Sequence, residues 1–297
     1  MRSWLSPPDP WKNHNIACKS RHRGSAAWFV RGNTFSEWKA SEARGSLLWV
    51  HGKRPLTPSS YASQKLNFSF VAGAGKSVLW YVNVLIFLSY KLIVLVSSTI
   101  IEDVDAMRKA GLASVAFFYC DFREDQKKDL RGLLSSLLVQ LCRQSNSYWD
   151  ILFKLYSDHA DGSQHPSDEA LAGCLKNLLE LPGQVPVYLI VDALDECPST
   201  SAVPSPRDEV LNLIEELVKS QFPNLRICVT SRPESDIKDV LDPLVFCSVS
   251  LHDESGQKRD IKEYIKSVIN TNPKNRRWKA EDRKLVIDVL TEKADGM

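Results

Sequence analysis

Gly73-Ala74-Gly75-Lys76-Ser77 is the stretch around which this chain is organised. A phosphate-cradling loop reads G-x-x-x-x-G-K-[S/T] and sits between a buried strand and a helix. Its backbone N–H groups and the helix N-terminus converge on phosphate oxygens. Its Lys reaches the terminal phosphates, and its hydroxyl serves Mg²⁺. Gly75-Lys76-Ser77 supplies the second half, but the first glycine belongs at position 70, which is Phe70. A suitable strand lies earlier, at Ser46-Leu47-Leu48-Trp49-Val50, followed by His51-Gly52-Lys53. Removing Arg54 to Val71 joins Lys53 to Ala72 and completes a strand, loop and helix with Gly52 as the first glycine. The loop reads as split by an insertion.

A second interruption follows at once. Trp80 to Val96 is a 17-residue, largely apolar run broken mainly by Asn83, Ser89 and Lys91. Without it, Leu79, Ile100 and Val104 fall four apart, on one face of the helix that such a loop must lead into. Each removal repairs one element, so both segments read as insertions of the kind retained introns leave. With Val78 and Leu79 the apolar run approaches the ~20 residues of a membrane-spanning helix. Its β-branched content equally suits a segment buried against the domain.

Composition bounds the remaining possibilities. Apolar content of 43% and charged content of 25% over 297 residues fit a soluble globular chain of one large or two small domains. A net charge of +2 argues for no nucleic-acid partner. The seven cysteines are scattered without a C-x-x-C pair. That pattern predicts unpaired thiols in a reducing, cytoplasmic compartment, with neither a metal site nor a disulfide framework. The first 34 residues carry six Lys/Arg and one acidic residue but no apolar core of a signal peptide.

In chain order, residues 1–25 read as a flexible leader. Trp28, Phe29, Phe35 and Trp38 read as an aromatic segment packing a short helix onto the sheet edge. Thr99 to Ala110 is predicted helical, with Gly111 as its stop. Ser114 to Tyr119 is a buried strand, and Leu130 to Leu141 a helix by its leucine spacing. Asp158 to Ser167 is a loop and Ala170 to Leu179 a helix. Val185 to Val191 is a second buried strand, with Pro186 tolerable near its start. Val210 to Val218 is a helix, Leu225 to Thr230 a strand, and Val245 to Ser250 a last short strand. A helix carrying Ile261, Tyr264, Ile265 and Val268 follows. Strands alternating with helices predict an α/β three-layer sandwich about a mostly parallel sheet. One domain would span residues 26–250, with a helical region beginning in 251–297.

Val187-Tyr188-Leu189-Ile190-Val191-Asp192-Ala193-Leu194-Asp195-Glu196 is the second chemical signal. An apolar strand ending in Asp puts a carboxylate at the C-terminal edge of the sheet, where open parallel sheets bind ligands. Asp192 is therefore the candidate Mg²⁺ residue, and Asp195 or Glu196 would orient or polarise an attacking water. The plainer alternative is an acidic strand-to-helix turn. Val229-Thr230-Ser231-Arg232-Pro233-Glu234 is the third signal. Arg232 at a strand end is suited either to sensing a γ-phosphate or to a structural role.

In this order, the glycine loop, Val-Asp-Ala-Leu-Asp-Glu and Thr-Ser-Arg-Pro resemble the NACHT-type STAND NTPases. The resemblance is to the fungal branch whose domain is also described as nephrocystin-like N-terminal. It takes in Phe35, Trp38, Gly45 to Gly52 and Phe117 to Phe122 as well. It implies a P-loop NTPase fold binding ATP or GTP with Mg²⁺, within a NOD-like receptor type signalling protein that switches between closed and oligomeric states. Gly52, Gly73, Gly75, Lys76 and Ser77 would hold nucleotide, Ser77 and Asp192 the metal. Asp195, Glu196 and Arg232 would serve hydrolysis. Self-association and signalling partners would act through regions beyond this chain, which reads as a truncated member. Two other functions remain open: a nucleotide-free interaction or scaffold module, and a protein anchored in a membrane through residues 78–96.

Overall fold

The computed structural model describes residues 1–20, 26–52, 94–199, 203–251 and 279–295, with 262–263, 265–266 and 269–270 between the last two. The split glycine loop, Gly73 to Ser77, the 54–71 segment and residues 80–93 lie outside them, as do Ile261, Tyr264 and Val268.

Five strands form one sheet: β1 (Ser46–His51), β2 (Ser114–Tyr119), β3 (Val187–Asp192), β4 (Leu225–Ser231) and β5 (Cys247–Ser250). Their order is β2-β3-β4-β1-β5, and every neighbouring pair is parallel. The α/β sandwich expected from the sequence is therefore the architecture found. β2, β3 and β4 are buried along their whole length. That explains why they read as unbroken apolar runs rather than alternating ones. The ladder of β3 begins at Val187, because Pro186 lacks an N–H; its carbonyl instead accepts from Ser114 at 2.8 Å.

Alternation along the strands sorts two cores. Leu47, Trp49, Ala116, Phe118, Leu189, Val191, Ile227 and Val229 face one layer of helices, Leu130–Cys142, Asp168–Leu179, Pro206–Lys219 and Ser235–Leu241, with Asn146–Asp158 packed behind. Leu48, Val50, Phe117, Tyr188, Ile190 and Cys228 face the other, made of helix 94–109 and the aromatic segment. Trp38 and Phe35 are both fully enclosed in it. Trp38 donates its Nε1–H to the Ser46 carbonyl at 3.3 Å and meets Tyr188 edge-on at 5.5 Å. The aromatics thus cover the face of the sheet as well as its edge.

Helix starts follow local capping chemistry. Asp129 and Ser167 accept from the backbone N–H three residues on, and Ser205 and Asp208 form a reciprocal capping box ahead of Pro206. Gly132 is required where it stands, because a Cβ there would lie 1.8 Å from the Gln126 carbonyl oxygen.

Three expectations need correction. Residues 1–20 are not a flexible leader: Arg2–Leu5 and Pro10–Ser20 are helices. Trp4 and Leu5 are buried in the first core, and the Trp4 Nε1–H reaches the Gln164 carbonyl at 2.8 Å. The apolar residues here are too few to show a period, and docking onto distant partners supplies what periodicity does not. The second correction concerns helix 94–109. It includes the last three residues of the apolar run, with Leu95 and Val96 buried. The face carrying Ile100 and Val104 continues back into them. The third is Asn146–Asp158, a helix that the sequence reading did not identify.

Candidate functional site

β4 lies between β1 and β3, so three strand ends of the C-terminal edge converge. His51 pairs with Ser231, and Gly52 and Arg232 therefore leave the sheet side by side. Gly52 is buried there. β3 ends one strand further on, at Asp192, beside Val229 and Thr230 of β4.

Asp192 is 1% exposed. Its Oδ1 accepts from two hydroxyls, Ser97 Oγ of helix 94–109 and Thr230 Oγ1 of β4. Its Oδ2 is buried without a hydrogen-bond partner among the described residues. Burial pushes this carboxyl up to about 6, against the pull of the two hydroxyls, and the charges of Glu196 and Asp195 add to the rise. A buried carboxylate oxygen left bare is costly. Such an atom suits a cation, and a carboxylate oxygen is the donor class that Mg²⁺ takes.

The turn after Asp192 is held in an unusual shape. Ala193 adopts φ 58°, in the left-handed region, and donates its N–H to Thr230 Oγ1 at 3.1 Å. The turn then carries Asp195 and Glu196 back over the strand end. Both Asp195 oxygens are engaged by one residue: Arg232 donates its backbone N–H to Oδ1 at 3.0 Å, and its Nε lies 3.2 Å from Oδ2. Burial raises the Asp195 carboxyl, and Arg232 works against that rise. Glu196 Oε2 accepts the Phe122 N–H at 3.3 Å.

Arg207 frames both loops from beneath. It is 4% exposed and donates to the carbonyls of Asp195, at 2.6 Å, and Cys197, at 2.9 Å. Its Nη1 meets Glu234 at 2.7 Å and Asp236 at 2.9 Å. One guanidinium thereby ties the turn after β3 to the loop after β4.

Of the residues singled out from the sequence, Gly52, Asp192, Asp195, Glu196 and Arg232 lie along this one edge. Gly73, Gly75, Lys76 and Ser77 lie outside the described residues. Sequence reasoning missed Ser97, Thr230 and Arg207 as members of the site. Thr230 stands inside the Thr-Ser-Arg-Pro motif, and Ser97 is one of three successive hydroxyl residues, Ser97-Ser98-Thr99, with nothing to set it apart. Arg207 carried no signal beyond its place after Ser205-Pro206.

No helix among the described residues is long and apolar enough to cross a membrane. A comparison with curated proteins found no match. The family model described as Nephrocystin 3, N-terminal, matches residues 94–232. That span begins at helix 94–109 and takes in β2, β3, the acidic turn and β4 as far as Arg232. Over those residues, this chain is similar to the nephrocystin 3 N-terminal family.

Proposed function

We propose that this chain is a nucleotide-binding regulatory switch module of the NACHT type, taking ATP or GTP with Mg²⁺. The observation that carries the reading is the bare, buried Oδ2 of Asp192 at the edge where parallel sheets bind ligands. Asp192 would hold the metal through that oxygen, with Ser77 of the glycine loop as the second ligand. Mg²⁺, when bound, neutralises charge on the phosphates.

The chain's own residues divide the remaining work. Gly52, Gly73 and Gly75 would bring backbone N–H groups to the phosphates, and Lys76 a positive charge. Ser97 and Thr230 hold the Asp192 carboxylate in one orientation through Oδ1, and Oδ2 is the oxygen that would meet a metal. Asp195 is already satisfied by Arg232, so its role is to position that arginine near the terminal phosphate. Glu196, whose Oε2 accepts the Phe122 N–H at 3.3 Å, is the carboxylate that would orient a water and hold its proton. Turnover is slow in this reading. An arginine supplied by a partner is worth on the order of 10³–10⁵ in rate, and a switch gains by dwelling in one state.

Titration with ATP and GTP, with and without Mg²⁺, tests the proposal. Saturable, Mg²⁺-dependent binding that Lys76→Ala abolishes is expected. A folded chain that binds neither nucleotide would instead be a nucleotide-free interaction module.

A further inference from the structure

The N-terminal helix carries a second cluster of chemistry-bearing side chains that the nucleotide site does not use. His14 and Cys18 are four apart on helix Pro10–Ser20 and so share one face. Opposite them stands Glu102 of helix 94–109. Cys18 Sγ lies 3.4 Å from His14 Nε2 and 3.3 Å from Glu102 Oε1, and all three ligand atoms fall within 4.8 Å of one another. Zinc bonds of about 2.0–2.3 Å at tetrahedral angles put sulfur about 3.5 Å from nitrogen or oxygen ligands. The two edges that meet at sulfur are close to those of a tetrahedron.

A second observation concerns the other ring nitrogen. His14 Nδ1 is 3.1 Å from the Tyr119 hydroxyl, at the end of β2. A proton on Nδ1 donated to that oxygen leaves the Nε2 lone pair directed at the cluster, the arrangement that metal-binding histidines adopt. Trp11 and Phe117 pack on the imidazole at 5.4 and 5.3 Å and fix its plane. His14 is 5% exposed whereas Glu102 is exposed, so the cluster is buried at one end and open to solvent at the other.

We propose that His14, Cys18 and Glu102 form a binding site for a borderline-soft divalent transition ion, zinc by its ligand set, which fastens the N-terminal helix to helix 94–109. Imidazole, thiolate and carboxylate together select zinc or cobalt over magnesium or calcium. Binding converts the Cys18 thiol to thiolate and releases its proton to solvent, with water completing the fourth position. No electron is transferred. The cluster escaped a reading based on cysteine pairs, because one ligand comes from each of three residue types and the third lies 84 residues beyond the second.

Cobalt(II) titration of the full chain, followed by absorption, tests the site. We expect one cobalt per chain, with a thiolate-to-cobalt charge-transfer band and the intense visible bands of four-coordination, all bleached by zinc(II). Cys18→Ser should remove the charge-transfer band, and the surface change Glu102→Gln should weaken binding about tenfold or more. Wild-type protein that is folded by circular dichroism but shows no such band overturns the proposal, as does a band that survives Cys18→Ser. Should Cys18→Ser not fold, Glu102→Gln decides, since unchanged cobalt affinity in that variant also overturns the site.

Discussion

Tyr119 and Asp192 are direct register partners at the ends of β2 and β3, yet each anchors a different kind of cluster. Asp192 accepts from two hydroxyls, and the carboxylate is buried with one atom bare. Around His14, which Tyr119 holds, the donors are nitrogen, sulfur and oxygen, and one end opens to solvent. Helix 94–109 serves both, through Ser97 to the first and Glu102 to the second. The same sheet edge can thus present hard and soft ligand sets side by side, because what differs is the element laid over it. A strand and a turn supply the first, a docked N-terminal helix the second.

The largest way to break the comparison is Arg207→Ala. It removes the guanidinium that joins the two loops of the oxygen cluster and leaves Glu234 and Asp236 without their buried partner. Breaking such a pair costs about 3–5 kcal/mol, to be read by chemical denaturation. The His14 cluster shares no residue with this frame, so cobalt affinity should persist wherever the variant stays folded.

Asp192→Asn sharpens the contrast through pH. The Asp192 carboxyl is raised from its usual 3.8 to about 6 on folding. Between those values the native chain holds a proton that the unfolded chain has lost, so stability falls as pH rises through that window. The wild-type chain should therefore lose on the order of 3 kcal/mol relative to the variant across it, at about 1.4 kcal/mol per unit. Parallel pH curves for the two proteins would mean that the buried charge is compensated by contacts outside the Ser97 and Thr230 hydroxyls.

The smallest effect is expected from Tyr119→Phe, which deletes the hydroxyl that meets His14 Nδ1. Stability should fall by about 1 kcal/mol. Nucleotide affinity should not change, since the Tyr119 hydroxyl meets His14 of the soft cluster.

What was legible in the sequence follows from how far apart the cooperating residues lie. β2, β3 and β4 were visible because strands buried on both faces are unbroken apolar runs, and the ends of two of them placed Asp192 and Arg232. Gly52 became a candidate only by pairing its strand with a distant glycine motif. Ser97 and Arg207 act through contacts made across 95 and 10 to 29 residues, and no local period marks such contacts. Helix Asn146–Asp158 went unread because it packs chiefly through Tyr148 and Leu152, with Trp149 and Phe153 exposed, which blurs its apolar stripe. The N-terminal helices were read as a leader for the same reason: their order comes from docking, with His14 and Trp11 against Phe117 and Trp4 under Gln164.

The central claim is that the bare oxygen of Asp192 is a metal ligand and that Glu196 handles water. Nucleotide affinity at graded Mg²⁺, together with single-turnover hydrolysis, should be measured for the wild-type chain, Asp192→Asn and Glu196→Gln. Losing a charged contact is worth about 1.5–3 kcal/mol, so Asp192→Asn should weaken Mg²⁺-dependent binding by roughly 10- to 100-fold. Glu196→Gln should bind almost normally and turn over more slowly. Wild-type Mg-nucleotide affinity in Asp192→Asn, with binding lost instead in Glu196→Gln, would contradict the account.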